Sequence, residues 1–251
     1  MISPKSQISN LKTKKKLMAN SAFNLSNLNG ANGFILNGIT AGDKSGFSVS
    51  GAGDINGDGF DDVIIGAYRA LSDSGQSYVV FGSGSGFSPT LNLSTLNGTN
   101  GFAINGIAAG NQSGRAVSNA GDINGDGFDD LIIGAFAASP NGSFSGQSYV
   151  VFGSSSGFSP TLNGTNGFTI NGIAANNQSG KSVSSAGDVN GDNIDDLIIG
   201  TDFSGSYVVF GNRAPGLDLN GSNGLGINFT TTFTSTPVST ATALLTVRCN
   251  S

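Results

Sequence analysis

A stretch of fifteen residues, GDINGDGFDDVIIGA at Gly53–Ala67, occurs three times, and nothing else in the sequence restricts the fold as tightly. The second copy is GDINGDGFDDLIIGA at Gly121–Ala135, and the third is GDVNGDNIDDLIIGT at Gly187–Thr201. Each puts oxygen-bearing side chains at the first, third, fifth and ninth places of a loop: Asp54, Asn56, Asp58 and Asp62; Asp122, Asn124, Asp126 and Asp130; Asp188, Asn190, Asp192 and Asp196. Alternate residues of a tightly curled loop can face one centre, and hard oxygen donors gathered in this way suit Ca²⁺, which takes six to eight of them in flexible geometry. The seventh-place residues Phe60, Phe128 and Ile194 complete the three candidate metal sets, for up to three Ca²⁺. Gly59 and Gly127 hold the sixth place, where the chain must turn sharply and a positive φ is expected; Asn193, the next most tolerant residue type, holds it in the third copy.

The loop is not an EF-hand, whose twelfth place carries a bidentate Glu. Ile65, Ile133 and Ile199 stand there instead. Val63-Ile64-Ile65, closed by Gly66, reads as a short strand buried on both faces rather than as a helix. Asp, Asn and Gly also make ordinary turns. Three copies with the same four donor places favour a metal loop over that reading.

All 16 acidic residues are Asp, and 12 of them lie in the three loops: the nine candidate ligands with Asp61, Asp129 and Asp195 at the eighth place. Four carboxylates in one loop repel each other and oppose folding unless a cation offsets them. Five of the 11 basic residues are Lys5, Lys12, Lys14, Lys15 and Lys16, so the chain from residue 17 onward is strongly acidic. An acidic body of this kind is a poor partner for nucleic acid or anionic lipid, and no apolar run is long enough for membrane insertion. With no His, no Glu and Cys249 alone near the end, general acid–base or activated-nucleophile chemistry has few candidates, and the expectation is a protein that is not an enzyme.

The motif lies within a longer repeat. LNGANGFILNGI (28–39), LNGTNGFAINGI (96–107) and LNGTNGFTINGI (162–173) precede SGFSVSGAGD (45–54), SGRAVSNAGD (113–122) and SGKSVSSAGD (179–188). GQSYVVFGS (75–83), GQSYVVFGS (146–154) and SGSYVVFGN (204–212) follow the loops. Abundant Gly, 40 residues, separates four short strands per unit. Four strands, repeated, make the blade of a β-propeller.

These residues resemble the FG-GAP repeats of integrin α-subunit propellers and of many secreted bacterial proteins. The resemblance rests on SGFSVS (45–50), on the Asp-x-Asn-x-Asp-Gly-x-x-Asp loop and on IIGA (64–67), and spans about 28–212. It implies an all-β fold of FG-GAP blades and a role in cell adhesion or protein interaction, with structural Ca²⁺ between the first two strands of each blade. It also implies an extracellular or cell-surface setting, although no Sec signal peptide is seen, and protein or glycan partners on the face opposite the loops. The turns there differ most between copies: AYRALSDSG (67–75), AFAASPNGSFSG (135–146) and TDFSG (201–205). Tyr68, Arg69, Phe136, Phe144 and Phe203 are the partner-binding candidates, against the plainer reading that they are ordinary exposed or blade-packing residues.

The expected organisation is a disordered basic segment at 1–22, repeat units at about 23–87, 88–158 and 159–212, a partial fourth at 213–229, and a Thr-rich tail at 230–251 resembling the start of a further module. Blades are expected at roughly 47–107, 115–173 and 181–229, which leaves Gly33–Ile39 as a spare strand. Propellers ordinarily have four to eight blades. Three blades leave three readings open: an incomplete or open arc, a homo-oligomer or missing blades joining through open sheet edges, and a fragment of a larger secreted adhesin or, least favoured, of a hydrolase.

Overall fold

The computed structural model describes residues 22–159, 166–202 and 205–212. Phe203, the segment 213–229 and the tail 230–251 lie outside them, as does the basic lead-in except for Ala22. The described part is built almost wholly of short strands, in chain order β1 (Ile35–Asn37), β2 (Ser48–Gly53), β3 (Asp62–Ala67), β4 (Gln76–Val80), β5 (Thr90–Asn92), β6 (Gly101–Asn105), β7 (Ala116–Gly121), β8 (Asp130–Ala135), β9 (Gln147–Val151), β10 (Gly167–Asn171), β11 (Ser182–Gly187), β12 (Asp196–Gly200) and β13 (Ser206–Val209).

Three antiparallel sheets repeat one plan. The first has the order β2-β3-β4-β6, the second β7-β8-β9-β10, and the third β11-β12-β13. Strands joined by the candidate metal loop pair directly, Val49 opposite Ile65, Val117 opposite Ile133 and Val183 opposite Ile199. Each first strand carries a bulge before its loop, between Gly51 and Gly53, Asn119 and Gly121, and Ser185 and Gly187. The extra residue bends the strand end and lets the chain enter the loop with a glycine at positive φ, 67° at Gly53 and 72° at Gly121. A separate short ribbon pairs β1 with β5 in parallel.

The second strand of each sheet is an apolar run, and β8, which lies between the first and third sheets, is buried on both faces. On one face of the first sheet Ile64, Val79, Phe81, Phe102 and Ile104 pack against Val117, Leu131, Ile133, Tyr149 and Val151 of the second. Ile132 and Val150 of the second sheet pack in turn on Leu197 and Ile199 of the third, with Val183 and Val209 partly buried alongside. The outer face of the first sheet, through Ile65, Tyr78 and Val80, is covered by Leu36 and Leu91 of the β1–β5 ribbon. Each such aliphatic side chain, fully buried, contributes about 1.5–3 kcal/mol before entropy is counted.

Close stacking explains the glycine of the repeated IIGA/IIGT stretch. A β-carbon at Gly66 would run into the carbonyl of Gly114, and one at Gly134 into the carbonyl of Gly180. Backbones of successive sheets touch there, so the residue must lack a side chain.

Candidate functional site

The three loops fold alike. At the sixth place φ is +88° at Gly59, +91° at Gly127 and +63° at Asn193, as the sharp turn requires. The first-place carboxylate closes the curl. Asp54 Oδ1 accepts the Asp58 amide at 3.0 Å and Oδ2 the Gly59 amide at 2.8 Å. Asp122 takes the amides of Asp126 and Gly127, and Asp188 those of Asp192 and Asn193. These bonds to its ionised form hold Asp188 below the usual carboxylate range. Within each loop the third-place Asn accepts the fifth-place amide and donates to the fifth-place carboxylate, as Asn56 does to Asp58 at 3.0 Å. Asp58, Asp126 and Asp192 accept the amides of Phe60, Phe128 and Ile194, whose apolar side chains leave only a main-chain oxygen to offer a cation.

The ninth-place carboxylate is buried and ties the loop to the chain leaving the third strand. Asp62 accepts the amides of Ile55 at 3.1 Å and Gly82 at 2.7 Å. Asp130 does the same with Ile123 and Gly153, and Asp196 with Val189 and Gly211. Burial pushes Asp62 up to about 6, with Asp58 and Asp54 adding to the shift and the two amides opposing it. Deeper burial takes Asp130 up to about 8, again with its loop neighbours Asp126 and Asp122 adding. A cation placed among these oxygens would act against both causes.

The donor chemistry and the curl therefore fit a hard divalent ion. Among the described residues, however, no group of three or more carboxylates stands close enough together to hold one. The oxygens that sequence spacing directs to a common centre are engaged by amides. Each carboxylate oxygen retains a second lone pair, so an amide bond does not by itself preclude a metal bond.

One loop residue has a role that local sequence does not disclose. The eighth-place Asp reaches the preceding loop: Asp129 Oδ2 accepts the Asp54 amide at 2.9 Å, and Asp195 Oδ2 the Asp122 amide at 3.0 Å. The partners lie 75 and 73 residues apart, and only the repeat offset could have signalled the link. Gly53 and Gly121 make room for these side chains, since an added β-carbon at either would land on the incoming carboxylate.

At the opposite strand ends, several partner candidates come together around a cation that sequence reasoning missed. The Arg115 guanidinium lies 4.0 Å from the centre of the Phe47 ring, 5.2 Å from Tyr68 and 5.8 Å from Phe136. Phe47 and Tyr68 meet edge to face, and Arg69 flanks Tyr68 at 5.8 Å. Lys181 continues the row, 5.9 Å from Phe136 and ion-paired with Asp202. Phe47, Arg115 and Lys181 hold one repeat position, and Tyr68, Phe136 and Asp202 another, so the row alternates across the three sheets. Phe144 stands apart from it, half exposed at a φ of +52°.

Stacked antiparallel sheets, two of them four-stranded among the described residues and each with the same loop between its first two strands, define a β-propeller-type repeat protein. The family model for the FG-GAP repeat matches residues 45–80 and 113–151, so the chain carries FG-GAP repeats in its first two sheets. It is 30% identical over 169 residues to Integrin alpha-4 of Xenopus laevis, an alignment covering 64% of this chain and 15% of that protein. It is 28% identical over 195 residues to Integrin alpha-PS2 of Drosophila melanogaster, covering 74% of this chain and 13% of the relative. The chain thus spans a small part of the curated relatives it matches. No helix among the described residues is long and apolar enough to cross a membrane.

Proposed function

We propose that the chain is a calcium-stabilised β-propeller module for cell adhesion or protein interaction, acting outside the cell or at its surface, with up to three structural Ca²⁺ in its loops. The observation that carries the calcium reading is the buried ninth-place carboxylate. Asp62 and Asp130 are each raised by burial and by two further carboxylates of the same loop, an arrangement that favours a divalent counter-charge. Asp54, Asn56, Asp58 and Asp62, with the main-chain oxygen of Phe60, would hold the ion in the first loop, and the matching residues would do so in the others. The ion would supply positive charge and fix the hairpin between the first two strands; the chain's own residues supply every other contact. The adhesion reading is supported by the integrin relatives and by the aromatic–arginine row, since Tyr and Arg are enriched where proteins meet.

Thermal melting in calcium and after exhaustive chelation tests the proposal. One site at a hundredfold excess over Kd adds about 2.7 kcal/mol, or roughly 5–10 °C for a domain of this size. Identical melts in the two conditions would remove the calcium reading. A second reading, a part of a larger adhesin with no function alone, is favoured by the 15% of Integrin alpha-4 that the chain spans. Partner binding by the chain alone, lost when Arg115 and Tyr68 are replaced, would decide against it.

A further inference from the structure

The repeat supplies an internal comparison at the strand ends opposite the loops. The described residues hold four basic side chains, Lys44, Arg69, Arg115 and Lys181. All four stand in the turns that lead into the first strand of a sheet or out of the second, while the 12 loop Asp lie at the other strand ends. Positive and negative charge are thus separated along the strands.

Arg115 and Lys181 hold one repeat position, just before β7 and β11. Lys181 meets a carboxylate there, that of Asp202, which follows the IIGT stretch of its own blade. The place of Asp202 belongs to Phe136 in the second blade and to Tyr68 in the first. Arg115 therefore has rings where Lys181 has an acid, with Phe47 at 4.0 Å, Tyr68 at 5.2 Å and Phe136 at 5.8 Å. Among the described residues its guanidinium makes no ion pair and no hydrogen bond, and the Tyr68 hydroxyl has no hydrogen-bond partner. Ring contacts use the charge of a guanidinium and leave its five N–H donors unspent.

The backbone holds this group in place. Just before Arg115, the amides of Gln112 and Ser113 donate to the carbonyls of Asp73 at 2.9 Å and Ser74 at 3.0 Å, in the turn after β3. That turn keeps Leu71, Ser72 and Asp73 at φ values of 53°, 58° and 61°, a left-handed run that L residues avoid. Buried Ala70 anchors it, and the Ser74 hydroxyl donates to the Leu71 carbonyl at 2.8 Å. The run leaves Leu71 53% exposed on the same turn as Tyr68 and Arg69, and Phe47 is 49% exposed. Strain retained to turn an apolar side chain outward is a mark of a contact surface.

Three carboxylates, Asp43, Asp73 and Asp202, share this end of the sheets, so the patch has too little net charge for a polyanion. One guanidinium beside a phenol, rimmed by apolar side chains, suits a single carboxylate with apolar neighbours. Resting on the reading of the chain as an interaction module, we propose that this end of the blades binds an acidic–apolar peptide segment of a partner protein. Arg115 takes a partner carboxylate as Lys181 takes Asp202, the Tyr68 hydroxyl donates to the same group, and Phe47 and Leu71 cover the apolar side chains on either side.

The test uses the full chain, isotope-labelled in arginine, and two blocked tripeptides, Leu-Asp-Leu and Leu-Asn-Leu. The readout is the nuclear magnetic resonance shift of the Arg115 Nε–H group, assigned with Arg115→Lys. Leu-Asp-Leu should give a saturable shift with a Kd of about 1 mM. Leu-Asn-Leu should bind at least about tenfold more weakly, having lost the charge-assisted bonds. Phe136→Asp brings the third blade's arrangement into the second. It should shift the Arg115 resonance without peptide and weaken Leu-Asp-Leu about fivefold or more. Phe136→Asn, which loses the same ring but adds no charge, should stay within about threefold of the parent and guards against a mere loss of packing. No saturable shift up to about 10 mM, equal binding of the two peptides, or full binding by Phe136→Asp overturns the proposal. A shift with a glucuronate-containing tetrasaccharide and none with Leu-Asp-Leu overturns it in favour of an acidic glycan. Each of these failures removes the acidic-peptide site alone, because the calcium-dependent melt that tests the module reading does not involve Arg115.

Discussion

If successive blades are fastened through their loops as well as by apolar packing, removing the Asp129 carboxylate should loosen the stack although no core residue is touched. Asp129 accepts the Asp54 amide of the preceding blade at 2.9 Å, in a partly buried setting. A hydrogen bond to a charged group contributes about 1.5–3 kcal/mol. Asp129→Ala should therefore lower the melting temperature by about 3–12 °C in a domain of this length. Asp129→Asn keeps an oxygen acceptor and should recover most of that loss. Gly53 supplies the second arm, because a β-carbon there would land on the Asp129 carboxylate. Gly53→Ala suffers that clash and a strained φ near +67°. In the Asp129→Ala background the clash disappears and only the strain, about 1–2 kcal/mol, remains. The two losses should then fall short of adding by about 0.5–3 kcal/mol, measured by urea unfolding of the four proteins. The shortfall should persist in calcium and in chelator, because the bond is to a neighbouring amide. Strict additivity, or an Asn variant as weak as the Ala variant, would refute the loop-to-loop fastening.

Further outcomes follow from the loops and the stacking. In chelator, the protein should lose stability as pH rises. Asp130 is raised from 3.8 to about 8 and Asp62 to about 6, so the folded state holds protons that the unfolded chain releases. Their contribution is complete below pH ~4 and gone once pH has passed about 8. Saturating calcium requires the ionised forms and should reverse that slope, which unfolding at pH 5 and pH 8 would show. Asp62→Ala should remove one calcium site and leave two by titration calorimetry; three equal sites in the variant would refute the assignment of the first loop. Gly134→Ala drives a methyl into the Gly180 carbonyl and should cost about 1–3 kcal/mol by overpacking, while an unchanged melt would show that the blades can separate without penalty.

What could be read from the sequence, and what could not, divides according to the range of the interaction. The loops, the buried strands after them and the four-strand unit are all visible because their causes are local. A turn residue at the sixth place, an apolar run such as Leu131-Ile132-Ile133 and a closing glycine act within a few positions. The link from Asp129 to Asp54 spans 75 residues, and no window along the chain contains it. Arg115 was hidden for a related reason. Its repeat position holds Phe47 in the first blade and Lys181 in the third, so it looks like a variable surface site until the rings of two blades close around it. The carboxylates show the limit from the other side. Their spacing in the loop is a local signal for a cation, yet in the fold the ninth-place residue also serves as the acceptor for two buried amides. A spacing repeated in all three loops therefore reports two demands at once, charge gathered for an ion and oxygens needed by the backbone. Only variants that separate them can apportion it: Asp130→Asn keeps one amide acceptor while removing the charge, so calcium binding at that loop should fall much further than stability in chelator.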